Sequence, residues 1–228
     1  MKDLPLVSVI LPVYNGEQFL AEALDSVLAQ TYPRIEVFVM DDGSSDDSGS
    51  IAKRYPTTSY HKLAHQGVAA ARNAGVRLSA GDILAFIDQD DLWTPDKTAE
   101  QLRYLQEHST VDIVSCHTEF FLDGIDSKPN WLREARFQKP GKNFTLGSSL
   151  IRRSVLEYVG FFDTLYKSAS DYDWFVRALD ADSQIGHMDA IFLKRRLHQR
   201  NHSNDASSVR ELIAIHRASI HRKRDQRS

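Results

Sequence analysis

Three carboxylates stand within four residues at Asp88-Gln89-Asp90-Asp91, directly after the apolar run Ile83-Leu84-Ala85-Phe86-Ile87. Neighbouring like charges make one another costly to ionise, so a cluster at the end of a buried strand calls for a counter-cation. Oxygen ligands suit a hard divalent ion, Mg²⁺ or Mn²⁺. A solvated acidic turn is the competing account. Asp91 reads as a helix-entry residue beside Trp93, with Thr94 as N-cap and Pro95 at the first helical position.

Other residues could do related chemistry, each with a plainer reading beside it. Asp41 and Asp42, in Asp41-Asp42-Gly43-Ser44, could accept hydrogen bonds from a nucleobase or ribose, or form an Asx turn with Gly43 left-handed. Pro12-Val13-Tyr14-Asn15-Gly16 lacks the G-x-G-x-x-G fingerprint, which argues against NAD or FAD. There Tyr14 either offers its ring to a base or ribose or sits in a surface turn. Arg72 could reach a diphosphate or be a solvated helix charge. Asp171 and Asp173 open a helix whose dipole they complement; within reach of a hydroxyl, such a carboxylate is a general base. His198, after Lys194-Arg195-Arg196, is a strand-end histidine, a metal ligand or a diphosphate contact.

The elements that must position these residues follow from hydrophobic pattern. Leu6–Leu11, Ile35–Met40, Thr58–Leu63 and Ile83–Ile87 read as strands. Phe19–Leu28, Ser45–Arg54 and Val68–Leu78 read as the helices between them. Such alternation predicts a parallel, twisted sheet covered on both faces, with ligands outside the carboxyl ends of its strands. The turns at Tyr14, Asp42 and Asp88 all lie at such ends. Further on, helices are expected at Lys97–His108, Arg153–Val159 and from Ser170, with strands at Val111–Phe121 and Ile185–Leu193. Asp126–Lys142 reads as a long loop.

Bulk properties narrow the classes. The chain has 228 residues, is 42% hydrophobic and carries net charge −3, so nothing pulls it globally toward nucleic acid. The single cysteine, Cys116, excludes an internal disulfide and fits a reducing compartment. The first apolar run, interrupted by Pro5 and Pro12, reads as a strand and not a signal peptide. No run approaches the ~20 apolar residues of a membrane helix. A cytoplasmic protein is expected. Residues 206–228 form a basic helical tail with an apolar stripe of Val209, Leu212, Ile213 and Ile220. It has two readings: a core-docked helix, or a peripheral attachment to the anionic inner face of the membrane.

Taken in order, the loaded turns resemble the family-2 inverting glycosyltransferases of the GT-A fold. Val7–Asn15 looks like that family's opening strand, and Val39–Ser44 its nucleotide turn. His65-Gln66-Gly67 with Ala71–Gly75 looks like its phosphate-side helix, and Phe86–Trp93 its D-x-D-D motif. Ser170–Arg177 resembles its acidic motif, with Ser170 where Glu is usual. Arg196-Leu197-His198 resembles its late Arg-x-His motif, with Arg195 where Tyr is usual. The resemblance implies one GT-A domain over 1–205, with a mostly parallel Rossmann-like sheet, a nucleotide-binding half (1–95) and a smaller acceptor half (96–205).

It also implies a mechanism. A nucleotide-diphosphate sugar, UDP-linked in most of the family, lies across the strand ends. Pro12, Tyr14, Asp41 and Asp42 surround the base, Asp88 the ribose, and Arg72 the diphosphate. Asp90 and His198 serve a Mn²⁺ or Mg²⁺ ion. Asp171 deprotonates a saccharide or glycolipid hydroxyl, which attacks with inversion, in cell-surface polysaccharide or glycolipid synthesis. The Asp126–Lys142 loop is the candidate for excluding water. A non-catalytic sugar-nucleotide-binding module would be expected to lose the base. A sugar nucleotidyltransferase would open with a Gly-rich basic loop, and a phosphoacceptor receiver domain has no place for the second half of the chain.

Overall fold

The computed structural model describes residues 4–128, 132, 141–142, 145–199, 201 and 207–225. The first four strands are β1 (Val7–Val13), β2 (Ile35–Asp41), β3 (Ser59–Lys62) and β4 (Ile83–Phe86). They are mutually parallel in the order β3-β2-β1-β4. Helices α1 (Leu20–Leu28), α2 (Ser48–Ala52) and α3 (Val68–Leu78) connect them.

A strand buried on both faces needs apolar residues at nearly every position, and β1 has them except at Ser8, whose hydroxyl donates to Glu36 at 2.6 Å. Val7, Val9, Leu11 and Val13 face one core with Leu20 and Leu24 of α1. Ile10 faces the other, with Ala71 and Val76 of α3. A Cβ on Gly75 would lie 2.6 Å from Ile10 Cγ2, so glycine lets α3 seat this closely on the sheet. Pro12 is tolerated inside the sheet because β4 pairs β1 only as far as Ile10, leaving no partner there for a backbone N–H.

The second half is mixed in direction. Strand β5 (Leu92–Trp93) and helix α4 (Lys97–Glu107) precede β6 (Ile113–Leu122), β7 (Gly141–Lys142) and β8 (Ser149–Arg152). Helices α5 (Val155–Val159) and α6 (Ser170–Asp180), strand β9 (Ile185–Leu197) and helix α7 (Ser207–Asp225) complete the order. Strand β8 runs antiparallel to β4 and to β6, and β9 is parallel to β6. Two reversals restore the original direction, so β6 and β9 end at the same edge as β1, β2 and β4. That edge is where Tyr14, Asp42, Asp88 and His198 emerge.

Several expectations shift. Leu92–Trp93 is not helix entry but a short strand antiparallel to β9. Helix α4 starts at Lys97 with Asp96 at its N-cap; Thr94 instead donates its N–H to Phe192 O. The Ser45–Arg54 helix shrinks to α2. Strand β9 continues through Lys194-Arg195-Arg196, whose cations the parallel pairing with β6 accommodates. The tail helix α7 docks on α6 through Ile215, fully buried, and Ser219; Val209, Ile213 and Ile220 face solvent. The proposed water-excluding loop falls largely on residues outside those described. No helix among the described residues is long and apolar enough to cross a membrane.

Candidate active site at the carboxyl ends of the strands

The turn after β2 is built as its sequence suggests. Gly43 has φ +83°, a left-handed conformation that glycine adopts without penalty, and Ser44 N–H donates to Asp41 Oδ1 at 2.7 Å. Asp41 also accepts from Tyr60 O–H at 2.6 Å. Burial alone would raise its pKa, but the hydrogen bonds from Tyr60 and Ser44 and the Lys62 charge outweigh it, holding Asp41 below its ordinary value. Asp42 is buried too, and its carboxylate accepts the N–H groups of Gln66 and Gly67, each at 2.8 Å. Asp41 thus braces its own turn against Tyr60 of β3, and Asp42 braces the chain at the entrance to α3. Their oxygens have further lone pairs to offer.

Tyr14, half-exposed, stacks on His65 with ring centroids 4.3 Å apart. This places an aromatic shelf beside Asp42, whose carboxylate is 2.9 Å from His65 Nδ1. Gln89 joins the turns: it accepts the Tyr14 N–H at 2.8 Å and donates to Tyr14 O at 3.2 Å. That residue inside the acidic cluster carries no charge to flag it in the sequence.

The cluster itself divides into distinct environments. Asp88 is half-exposed and pairs with Arg72 Nη2 at 2.8 Å. Arg72 is almost completely buried, and its Nε has no hydrogen-bond partner among the described residues. Asp90 Oδ2 lies 2.9 Å from His198 Nε2 and 3.2 Å from Asn201 Nδ2. Asp91, expected at a helix entry, is instead buried, with Arg196 N–H donating to its carboxylate at 3.2 Å. Burial first, then the charges of Asp90 and Asp88, push its pKa well above the ordinary carboxylate value, against the opposing pull of Arg195.

Arg195 is the residue that links the base candidate to this cluster. Its charge is felt by Asp91, Asp88, Asp171 and Asp90, which together raise its pKa against the opposing effect of burial. Arg196, by contrast, belongs to the scaffold. It donates to Asp90 O at 3.1 Å, to Glu22 at 2.7 Å and to Asp123, and lies between the rings of Phe19 and Phe121.

The two acidic residues that open α6 also separate. Asp173 is buried against Arg177 Nε at 2.8 Å, a structural pair. Asp171 is part-exposed, and its carboxylate accepts the adjacent Tyr172 N–H at 2.8 Å. The loop leading into α6 is held by Glu211 of α7, whose carboxylate accepts the N–H groups of Lys167, Ser168 and Ala169 at 2.9, 3.0 and 2.9 Å. Nothing local in the sequence connects Glu211 with that loop.

The donor set fits a divalent cation. Asp90 and His198 present one carboxylate oxygen and one imidazole nitrogen side by side, a pair compatible with Mn²⁺. Among the described residues no third His, Cys, Asp or Glu ligand atom joins them. Water and substrate phosphate oxygens commonly complete such shells.

The family model for glycosyl transferase family 2 matches residues 8–170. An uncharacterized glycosyltransferase of Rickettsia typhi is 33% identical over 219 residues, covering 89% of this chain and 67% of its own length. The glycosyltransferase AglE of Haloferax volcanii is 35% identical over 193 residues, covering 78% of this chain and 62% of its own. The chain belongs to glycosyl transferase family 2.

Solved structures agree on the fold. Staphylococcus aureus TarS 1–349 in complex with UDP-GlcNAc superposes with TM-score 0.79 at 21% identity, covering 95% of this chain and 66% of that one. The mannosyltransferase PcManGT from Pyrobaculum calidifontis, in complex with GDP-Man and Mn²⁺, gives TM-score 0.69 at 24% identity, covering 88% and 59%. The fold is GT-A. The family match ends one residue before Asp171, and this chain spans about two thirds or less of these structures' lengths.

Proposed function

We propose that this chain transfers a sugar from a nucleoside-diphosphate donor to a hydroxyl acceptor, with inversion at the anomeric carbon and assistance from Mn²⁺ or Mg²⁺. The observation that carries this reading is the convergence of Asp88, Asp90, Asp91, Arg195, Asp171 and His198 at one sheet edge, next to the Tyr14–His65 stack and buried Arg72. The donor spans that edge. Tyr14 and His65 face the base, with Asp42, Asp41 and Pro12 shaping its surroundings, and Asp88 approaches the ribose. Residues 1–95 form the donor half, 96–205 the acceptor half and 206–228 the tail.

Asp90 and His198 would hold the cation, which would supply positive charge to neutralise the charge developing on the departing nucleoside diphosphate. Arg72 adds fixed positive charge there. Asp171 takes the proton of the acceptor hydroxyl as its oxygen attacks the anomeric carbon opposite the leaving group. The UDP-sugar preference, a hexosyl product and a role in cell-surface polysaccharide or glycolipid synthesis rest on the family resemblance. A cytoplasmic location, peripheral to the inner face of the membrane, is supported by the exposed Val209, Ile213 and Ile220 beside exposed Arg217 and Arg224. Salt-sensitive co-sedimentation with anionic liposomes tests that contact, and its absence ends it.

The central test presents UDP-, GDP- and dTDP-sugars with Mn²⁺ or Mg²⁺ and measures release of free nucleoside diphosphate, then the anomeric configuration of the product. Binding without turnover, with or without saccharide acceptors, would make the chain a sugar-nucleotide-binding module.

A further inference from the structure

The pairing of β6 with β9 breaks register beside His117. Ser115 pairs with His187 and Cys116 with Met188, but His117 pairs with Ile191. Asp189 and Ala190 are therefore extra residues on β9, a bulge of the kind that re-aims side chains. His117 Nε2 lies 3.4 Å from Asp189 Oδ1. The His117 and His187 rings are 4.8 Å apart, centroid to centroid. One ligand-capable atom from each of the three residues lies within 4.8 Å of the other two.

Ser115 holds the His187 ring by its Nδ1 edge. Ser115 Oγ lies 3.3 Å from the carbonyl oxygen of Gly186, which can only accept, so the hydroxyl donates there. The same hydroxyl oxygen lies 2.9 Å from His187 Nδ1. When Nδ1 carries the proton, the neutral ring presents its ligating lone pair on Nε2. Metal-binding histidines are commonly oriented in this way, one nitrogen held by a second partner and the other directed at the ion.

We propose that His117, His187 and Asp189 form a binding site for a borderline divalent transition metal such as Zn²⁺, separate from the carboxylate cluster at the strand ends. Two imidazoles and one carboxylate form a zinc-type donor set and a poor one for Mg²⁺. Two ligands at about 2.0–2.1 Å from a tetrahedral ion stand roughly 3.4 Å apart, the separation His117 and Asp189 already have. The Asp189 side chain is 86% exposed, so it can swing to close the remaining distances, and water can take the fourth position. A bound ion would clip β6 to β9 across the bulge, steadying the strand that carries Arg195 and leads to His198. The site stands whether or not the transferase reading holds.

The test uses the whole chain, stripped with EDTA and titrated with Zn²⁺ by calorimetry, with Co²⁺ absorption as a second readout. One Zn²⁺ equivalent is expected to survive in Asp90→Ala and to disappear in His117→Gln and His187→Gln. Ser115→Ala is expected to weaken it about 10–100-fold. Asp189→Ala alters an exposed side chain and leaves folding intact; Zn²⁺ should raise the wild-type Tm and fail to raise that variant's. Zn²⁺ uptake unchanged in both His117→Gln and Asp189→Ala would overturn the site and leave an ordinary His–Asp ion pair. So would the absence of any uptake beyond what Asp90→Ala removes.

Discussion

His198 Nε2 lies 2.9 Å from Asp90 Oδ2, two residues 108 positions apart in the chain. The carboxylate comes from the turn after β4 and the imidazole from the end of β9. They meet because β8 and β6 reverse direction twice between those strands. If the pair holds the cation, His198→Ala and Asp90→Asn should each weaken Mn²⁺-dependent UDP binding by at least about tenfold. Calorimetry with and without EDTA measures this, and metal-dependent binding that persists in both variants removes the assignment.

Of the two carboxylates that open α6, Asp171 is part-exposed, whereas Asp173 is buried in its pair with Arg177. Asp171→Asn should lower kcat by about 10²–10⁴-fold with little change in donor affinity. Asp173→Asn should instead lower Tm by loosening α6. Near-wild-type transfer by the Asp171 variant would return the base role to another group.

Glu211 acts on the site from a distance. Its carboxylate holds three consecutive backbone N–H groups ahead of Asp171. Glu211→Ala should cost about 1.5–3 kcal/mol of stability, the range for hydrogen bonds to a charged group. It should also lower kcat while the KM for the donor stays put if Asp171 is the base, because the loop that moves leads into Asp171 and lies apart from Tyr14 and Asp42. Glu211→Gln, which keeps one acceptor oxygen, should recover part of both. Parallel changes in kcat and donor KM would mean that the helix supports the whole fold and not this loop.

Lys97 gives the molecule a distinctive alkaline behaviour. It is fully buried over the Trp93 ring and donates to Gln101 Oε1 at 2.7 Å. Burial pulls its pKa down to about 8, against roughly 10.4 for a solvated lysine. Between those values the unfolded chain keeps a proton that the folded chain has shed, so this group makes stability rise with pH across that window. Lys97→Met should remove that rise, a difference of about 3 kcal/mol between the window's ends. Urea unfolding of both proteins at about pH 7.5 and about pH 10, on either side of most of that change, measures it; identical slopes would refute the buried charge.

Much of the first half of the chain is legible in the sequence because its determinants are local. Continuous apolar runs mark strands buried on both faces, alanine-rich spacing marks α3, and Gly43 marks the turn that braces Asp41 and Asp42. The second half hides more. Leu92–Trp93 is too short to show a strand period, and only pairing with β9 makes it one. Lys194-Arg195-Arg196 looks like a solvated run until β6 lies beside it. Asp91 looks like its acidic neighbours, and only burial sets it apart.

The sequence by itself determined the inventory and its order: carboxylates at strand ends, an arginine in a small-residue helix, an acidic helix start and a late histidine. Hydrophobic periodicity and turn chemistry act over a few residues, so those features can be read along the chain. Tertiary structure alone decided which of them share a site. Strand direction brought His198 to Asp90, burial separated Asp91 from Asp88, and Arg177 took Asp173 while leaving Asp171. These outcomes depend on packing and electrostatics between residues far apart in the chain, which no local pattern records.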